Sequence, residues 1–178
     1  MEGLDNNWGL DNFDPSQIGQ SLTEVYLCAL RNEFNEGDEA GEPPTNHWTL
    51  CLRTSINFSV MLNMVPGHGS DGLHGKIEVT SLDRRYTEET HRVFPFRITK
   101  EIDVAGFMQL LIRKGRQAFN FSPQWEGCQF WLSVVMQDLE DEGLVESGSA
   151  IVAREALMKY WRNPEGTEPR VMREGKFR

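Results

Sequence analysis

Between Asn46 and Val65 the chain alternates apolar and polar side chains, first in "NHWTLCLRT" and then, after a Ser/Asn turn signal, in "NFSVMLNMV". A period of two belongs to a half-buried strand, and two such runs a few residues apart predict an antiparallel hairpin. Parity then sorts the side chains. Trp48, Leu50, Leu52, Phe58, Val60, Leu62 and Met64 fall on one apolar face, while His47, Thr49, Cys51, Ser59, Met61 and Asn63 fall on the other. A three-residue turn, Thr54 to Ile56, sets His47 directly opposite Asn63.

The remaining elements build around that hairpin. Residues 1–20 lack periodicity and read as an acidic N-terminal arm, partly disordered and docked through Trp8, Leu10 and Phe13. "SLTEVYLCALRNE" is a strand that ends in the acidic loop "FNEGDEAGEPPT". "KIEVTSL" and "RVFPFRIT" are two more strands, the second marked by Pro95 as an edge strand or a bulged one. "DVAGFMQLLIRKG" predicts a helix capped by Asp103 and stopped at Gly115. "FSPQWEGCQFWLSVVMQDL" predicts a second helix, with Cys128, Trp131, Leu132, Val135 and Leu139 on one stripe. "GSAIVAREALMKYWR" predicts a third, running from Ile151 through Tyr160 and Trp161 to "NPEG". Strands first and helices later indicate an α+β domain over 21–162: a small antiparallel sheet of about five strands with two to three helices packed on it. Residues 163–178 read as a C-terminal tail.

Charge excludes one class of partner. The net charge of −9 comes from residues 1–45, which hold ten acidic residues and one basic residue, Arg31; from Asn46 onward 17 acids balance 17 bases. A neutral core offers no broad basic field for nucleic acid. The basic end "RVMREGKFR" is expected to be a frayed, solvated terminus. No apolar run is long enough to span a membrane, and the acidic start lacks the features of a signal peptide. Three cysteines, Cys28, Cys51 and Cys128, are too few for a disulfide framework. Those features predict a soluble cytoplasmic protein with free thiols. "HGSDGLH" at His68 to His74 lacks the spacing of a zinc motif and reads as a flexible surface loop, and "GHGSDG" lacks the lysine and helix of a phosphate loop, so no metal or cofactor is expected. His91 and the acids of "DLEDEG" are expected to be solvated.

One position remains chemically suggestive. Cys128 stands at the mouth of its helix, where unpaired amides and the macrodipole lower a thiol's pKa. It also heads the apolar stripe, so the face that packs on the sheet would aim its sulfur at the sheet's end. His47 could serve there as the base and Asn63 as the group that orients the imidazole. The Cys128 amide, aided by Gln124, could stabilise an oxyanion. A plain core thiol would satisfy the same apolar pattern. Cys51, mid-strand and far from any helix start, is the inert control.

The set "NHWTLCL", "SVMLNMVPG" and "GCQFWL" resembles an uncharacterised family of fungal proteins, a domain of unknown function, over roughly 24–161. That resemblance implies a fungal source. The order of a strand-borne His47 before a helix-capping Cys128 is more distantly similar to the circularly permuted papain-like superfamily, which includes the lecithin retinol acyltransferase-like proteins and certain desumoylating peptidases. It implies a permuted papain-like fold with Cys128 as nucleophile, His47 as base and Asn63 as orienter. Where those proteins show Asn-Cys, this chain has Gly127-Cys128.

The function expected is a cysteine-dependent hydrolase or acyltransferase acting on an amide, ester or thioester of a small-molecule, acyl or peptidyl substrate. Two rivals make different demands. In a non-catalytic binding module, Trp48 and Trp131 line a ligand pocket with His47. A non-covalent cyclase or isomerase of fungal secondary metabolism requires an apolar cavity with Cys128 beyond hydrogen-bond reach of His47. Exposed tryptophans leave a homodimer open.

Overall fold

The structure, a computed structural model, describes residues 4–39 and 41–178. The strands are β1 (Trp8–Asn12), β2 (Glu24–Leu30), β3 (Trp48–Arg53), β4 (Ser59–His68), β5 (His74–Leu82), β6 (Thr90–Arg97), β7 (Phe119–Asn120), β8 (Lys159–Trp161), β9 (Thr167–Pro169) and β10 (Lys176–Phe177). The helices are α1 (Val104–Arg113), α2 (Cys128–Asp141) and α3 (Ser149–Leu157). Eight strands form one sheet in the order β10-β7-β5-β4-β3-β2-β6, with β1 beside β5, while β8 and β9 make a separate ribbon. The class is mixed α+β, with more strands than the five expected. Pro95 lies in β6, at the sheet's edge, where its missing N–H costs no ladder bond.

The central hairpin forms, but in a different register. Leu50 pairs with Leu62 and Leu52 with Val60, around a longer loop in which the amides of Thr54 and Ser55 both donate to the Phe58 carbonyl. Extending that register puts Thr49, not His47, opposite Asn63. The shift is two residues, which preserves the face of every side chain. Trp48, Leu50, Leu52, Val60, Leu62 and Met64 are buried in one cluster with Phe107 and Leu111 of α1 and Trp131 and Val135 of α2. Each such side chain contributes roughly 1.5–3 kcal/mol. Phe58 departs from the expected apolar face because it belongs to the loop and is exposed.

The helices stop where local chemistry stops them. Asp103 caps α1 by accepting from the Gly106 amide at 2.7 Å, worth about 1 kcal/mol. The third helix ends at Leu157, short of the predicted Trp161, and Ile151 on it is exposed. Tyr160 and Trp161 instead pair in β8 with Glu168 and Thr167 of β9. The Tyr160 hydroxyl donates to Asn35 Oδ1 at 2.5 Å and the Trp161 amide to Asn46 Oδ1 at 2.7 Å. Those partners are remote in sequence and outweigh the local helical pattern.

Both ends are built into the domain. Residues 1–3 of the expected arm lie outside the described residues, but Trp8–Asn12 runs parallel to β5, and Trp8 and Phe13 are buried. The expected C-terminal tail contributes β9 and β10, and β10, within the stretch expected to fray, pairs with β7. Three further expectations are corrected. Asp138 is buried and takes two bonds from the Arg116 guanidinium, at 2.6 and 3.0 Å. His91 bonds the Arg162 carbonyl at 2.7 Å. His68 and His74 pair across the end of the β4–β5 hairpin instead of lying in a free loop. Among the described residues no helix is long and apolar enough to cross a membrane, and no group of three acidic, His or Cys residues is arranged to hold a metal ion.

Candidate active site

Gly127 and Cys128 sit where the sheet meets α2. The turn Ser122 to Glu126 closes through the Ser122 amide donating to the Glu126 carbonyl and the Trp125 amide donating to the Ser122 carbonyl, both at 2.9 Å. Gly127 then adopts φ +156, and a Cβ there would lie 3.0 Å from the Phe119 ring and 3.3 Å from Phe121. An asparagine before the cysteine would meet those rings, so Gly127 is the residue this packing admits. Among the described residues no side chain caps the helix, and the first amides of α2 stay available to an anion. Buried Gln129 donates to the Leu157 carbonyl at 2.7 Å and ties that first turn to α3.

His47 stands just ahead of β3. Its carbonyl accepts from the Leu30 amide at 2.8 Å. The preceding residue, Asn46, is 1 % exposed and fully engaged: it donates to the Leu30 and Trp161 carbonyls at 3.0 Å and accepts from the Trp161 amide. His47 Nε2 lies 2.6 Å from Asn63 Oδ1. With that carboxamide oxygen as acceptor, Nε2 carries the proton and Nδ1 is left for the thiol. Asn63 pairs across the sheet with Glu78.

Cys128 and His47 are each the strongest influence favouring the charged form of the other. Burial pushes the thiol's pKa up. The bond to His47, its charge, and the amides of Trp48 and Gln129 outweigh that and hold the thiol below its ordinary value. For His47, burial acts downward, yet the bond and charge of Cys128, then Asn63 and the Glu78 carboxylate, push the imidazole up to about 9. The two shifts run in the same sense, since each group favours the charged form of the other.

The other expected site residues are placed differently. Trp48 is 0 % exposed, with its ring among Phe94 and other core side chains. Trp131 is also fully buried and donates its indole N–H to the Arg116 carbonyl at 2.7 Å. Neither ring has surface left for a ligand, so both act as core. Gln124 is exposed in the turn and bonds nothing among the described residues, so nothing holds it as the expected oxyanion donor. In the turn before Cys128 it is Trp125 that reaches solvent, 55 % exposed, with φ +61. A bulky residue in that left-handed region is uncommon. Its ring leans over Gly72 at the tip of the β4–β5 hairpin, where an added Cβ would lie 3.1 Å from it. Only the S-P-x-W turn signal pointed to this position in the sequence.

A family model described as a domain of unknown function, DUF7770, matches residues 25–178. This chain belongs to that family. No curated protein and no solved structure matches it.

Proposed function

We propose that this protein is a cysteine-dependent hydrolase or acyltransferase that uses Cys128 as nucleophile, His47 as acid and base and Asn63 as orienter. The order of base before nucleophile is that of a permuted papain-like enzyme. The observation that carries the reading is Cys128 at the uncapped start of α2 with His47, itself held at Asn63 Oδ1, as the strongest influence favouring the thiol's charged form.

The chemistry follows from these groups. The Cys128 thiolate attacks the carbonyl carbon of an amide, ester or thioester, and the negative charge moves to the carbonyl oxygen, where α2's first amides can receive it. The tetrahedral adduct collapses, the bond to the leaving group breaks, and the His47 imidazolium gives its proton to that group. An acyl thioester remains on Cys128. Neutral His47 then takes a proton from water or an acceptor, which attacks the thioester and releases the thiolate, restoring the ion pair. The exposed Trp125, three residues before the nucleophile, offers a surface for the acyl group.

The reading as a non-covalent isomerase needs Cys128 out of reach of His47, whereas His47 is the strongest influence favouring the charged form of this thiol. Intact-mass measurement during incubation with p-nitrophenyl esters and acyl thioesters tests the proposal. The expected result is a transient acyl adduct mapping to Cys128. Turnover of such a substrate that persists in Cys128→Ala would overturn it.

A further inference from the structure

Arg170 follows β9 in the segment that the sequence marks as a tail, yet it is 5 % exposed. Its guanidinium reaches two loops remote from it in the chain. It donates to Glu126 Oε1 at 2.7 Å, and to the carbonyls of Pro44 at 3.2 Å and Pro43 at 3.4 Å; the remaining nitrogen donates to the Val171 carbonyl at 3.0 Å. The Arg170 amide is itself anchored to the Met158 carbonyl at 2.8 Å. Glu126 is two residues before Cys128, and Pro44 is three before His47. One rigid, planar cation thus joins the segment that delivers the nucleophile to the segment that delivers the base.

We propose that Arg170 is a positioning residue of this site, a staple that holds the Cys128 and His47 segments in register so that the imidazole stays aimed at the thiol. The role rests on the nucleophile reading above. Arg173 runs alongside it, pairing with Glu126 Oε1 at 3.3 Å and with Glu42, but it is less buried and reaches neither proline carbonyl. The rest of the anchoring is neutral and stays on one side each: Asn46 on the His47 side and Gln129 on the Cys128 side. Arg170 is the buried link between the two. A contact between a thiol and an imidazole is lost with a shift of about 1 Å, so a link remote from the chemistry can govern it.

The charged groups facing the pair are Glu78 from β5 and, behind Gly127, Glu126 with Arg170, Arg173 and Glu42. Removing Arg170 therefore changes both geometry and charge, and the variants must separate these. The readout is the rate of Cys128 alkylation by iodoacetamide against pH, mapped by peptide mass. In Arg170→Gln the rising limb of that profile should move up by about one pH unit. Arg170→Gln/Glu126→Gln, in which the local charges cancel, should be no better. Arg170→Lys keeps the charge but has no fork to span Glu126 and the Pro43 and Pro44 carbonyls, so it should also fall short of wild type. Arg116→Gln, which breaks the buried pair with Asp138, should lose stability and leave the profile unchanged.

A wild-type profile in Arg170→Gln, or full recovery in the double variant or in Arg170→Lys, would overturn the staple while the nucleophile reading stands. If Arg170→Gln does not fold, Arg170→Lys decides alone on the same criterion. A wild-type protein whose Cys128 titrates like a free thiol would remove the nucleophile reading, and the staple with it.

Discussion

Cys28 and Cys128 are both packed among apolar side chains, and burial pushes both thiols toward the neutral form. At Cys28 the strongest partner is another thiol. Its Sγ lies 4.0 Å from that of Cys51, in a small cluster with Tyr26, Met61 and Val93. That bond first, and burial next, push its pKa well up. At Cys128 the partner is a histidine on a neighbouring strand end, helped by two amides, and the direction reverses. The contrast shows that partners, and not exposure, decide which thiol in this chain is reactive.

The sharpest break in that contrast is Cys128→Ala, which should abolish the acyl adduct and any turnover on the ester and thioester panel, while the fold persists by circular dichroism. His47→Ala removes the cation that separates the two thiol environments. Its alkylation rate at pH 6 should fall by about a hundredfold, toward that of an unassisted thiol. The wild-type activity profile carries the same information at its alkaline end. His47 loses its proton as pH rises through about 9, so the step that protonates the leaving group should fail above that value, while thiolate persists. A rate that keeps rising past pH 10 would place the proton elsewhere.

Asn63→Ala leaves nucleophile and base but frees the imidazole to turn. The loss of one hydrogen bond, about 1–1.5 kcal/mol, predicts a kcat roughly tenfold lower with KM little changed. At the small end, Cys51→Ala should leave kcat/KM within about twofold of wild type and cost about 1–2 kcal/mol in a urea melt, because it empties part of a packed cluster.

Much of this site was legible because its signals are local. The period-two parity of Trp48 to Met64 put His47 and Asn63 on one face, and a two-residue error in register could not undo that. The turn and stripe around Cys128 placed it at a helix start. What escaped the sequence is long-range. Lys176–Phe177 and Phe119–Asn120 are too short to carry a period, so neither β10 nor β7 announces itself. Tyr160 and Trp161 continue a helical stripe, and only the bonds to Asn35 and Asn46 turn them into a strand. Arg170 reads as one of four bases in a solvated tail, and its burial depends on loops more than forty residues away. The acidic surplus at the N-terminal end likewise finds partners in the tail, through Glu42 with Arg173. Trp48 and Trp131 show the converse. Their size suggested ligand contact, and the apolar period that predicted their strand and helix also predicted their burial.

The most direct test compares the three cysteines of the native protein in one experiment: iodoacetamide labelling from pH 5 to 10, with the rate at Cys28, Cys51 and Cys128 followed separately by mass spectrometry. The account predicts that Cys128 labels ahead of the other two, with a rising limb at lower pH than a free thiol's and a loss of less than tenfold from pH 7 down to pH 6, while Cys28 and Cys51 stay unlabelled until the protein unfolds. A Cys128 rate that falls tenfold over that interval, as for a free thiol, would contradict it.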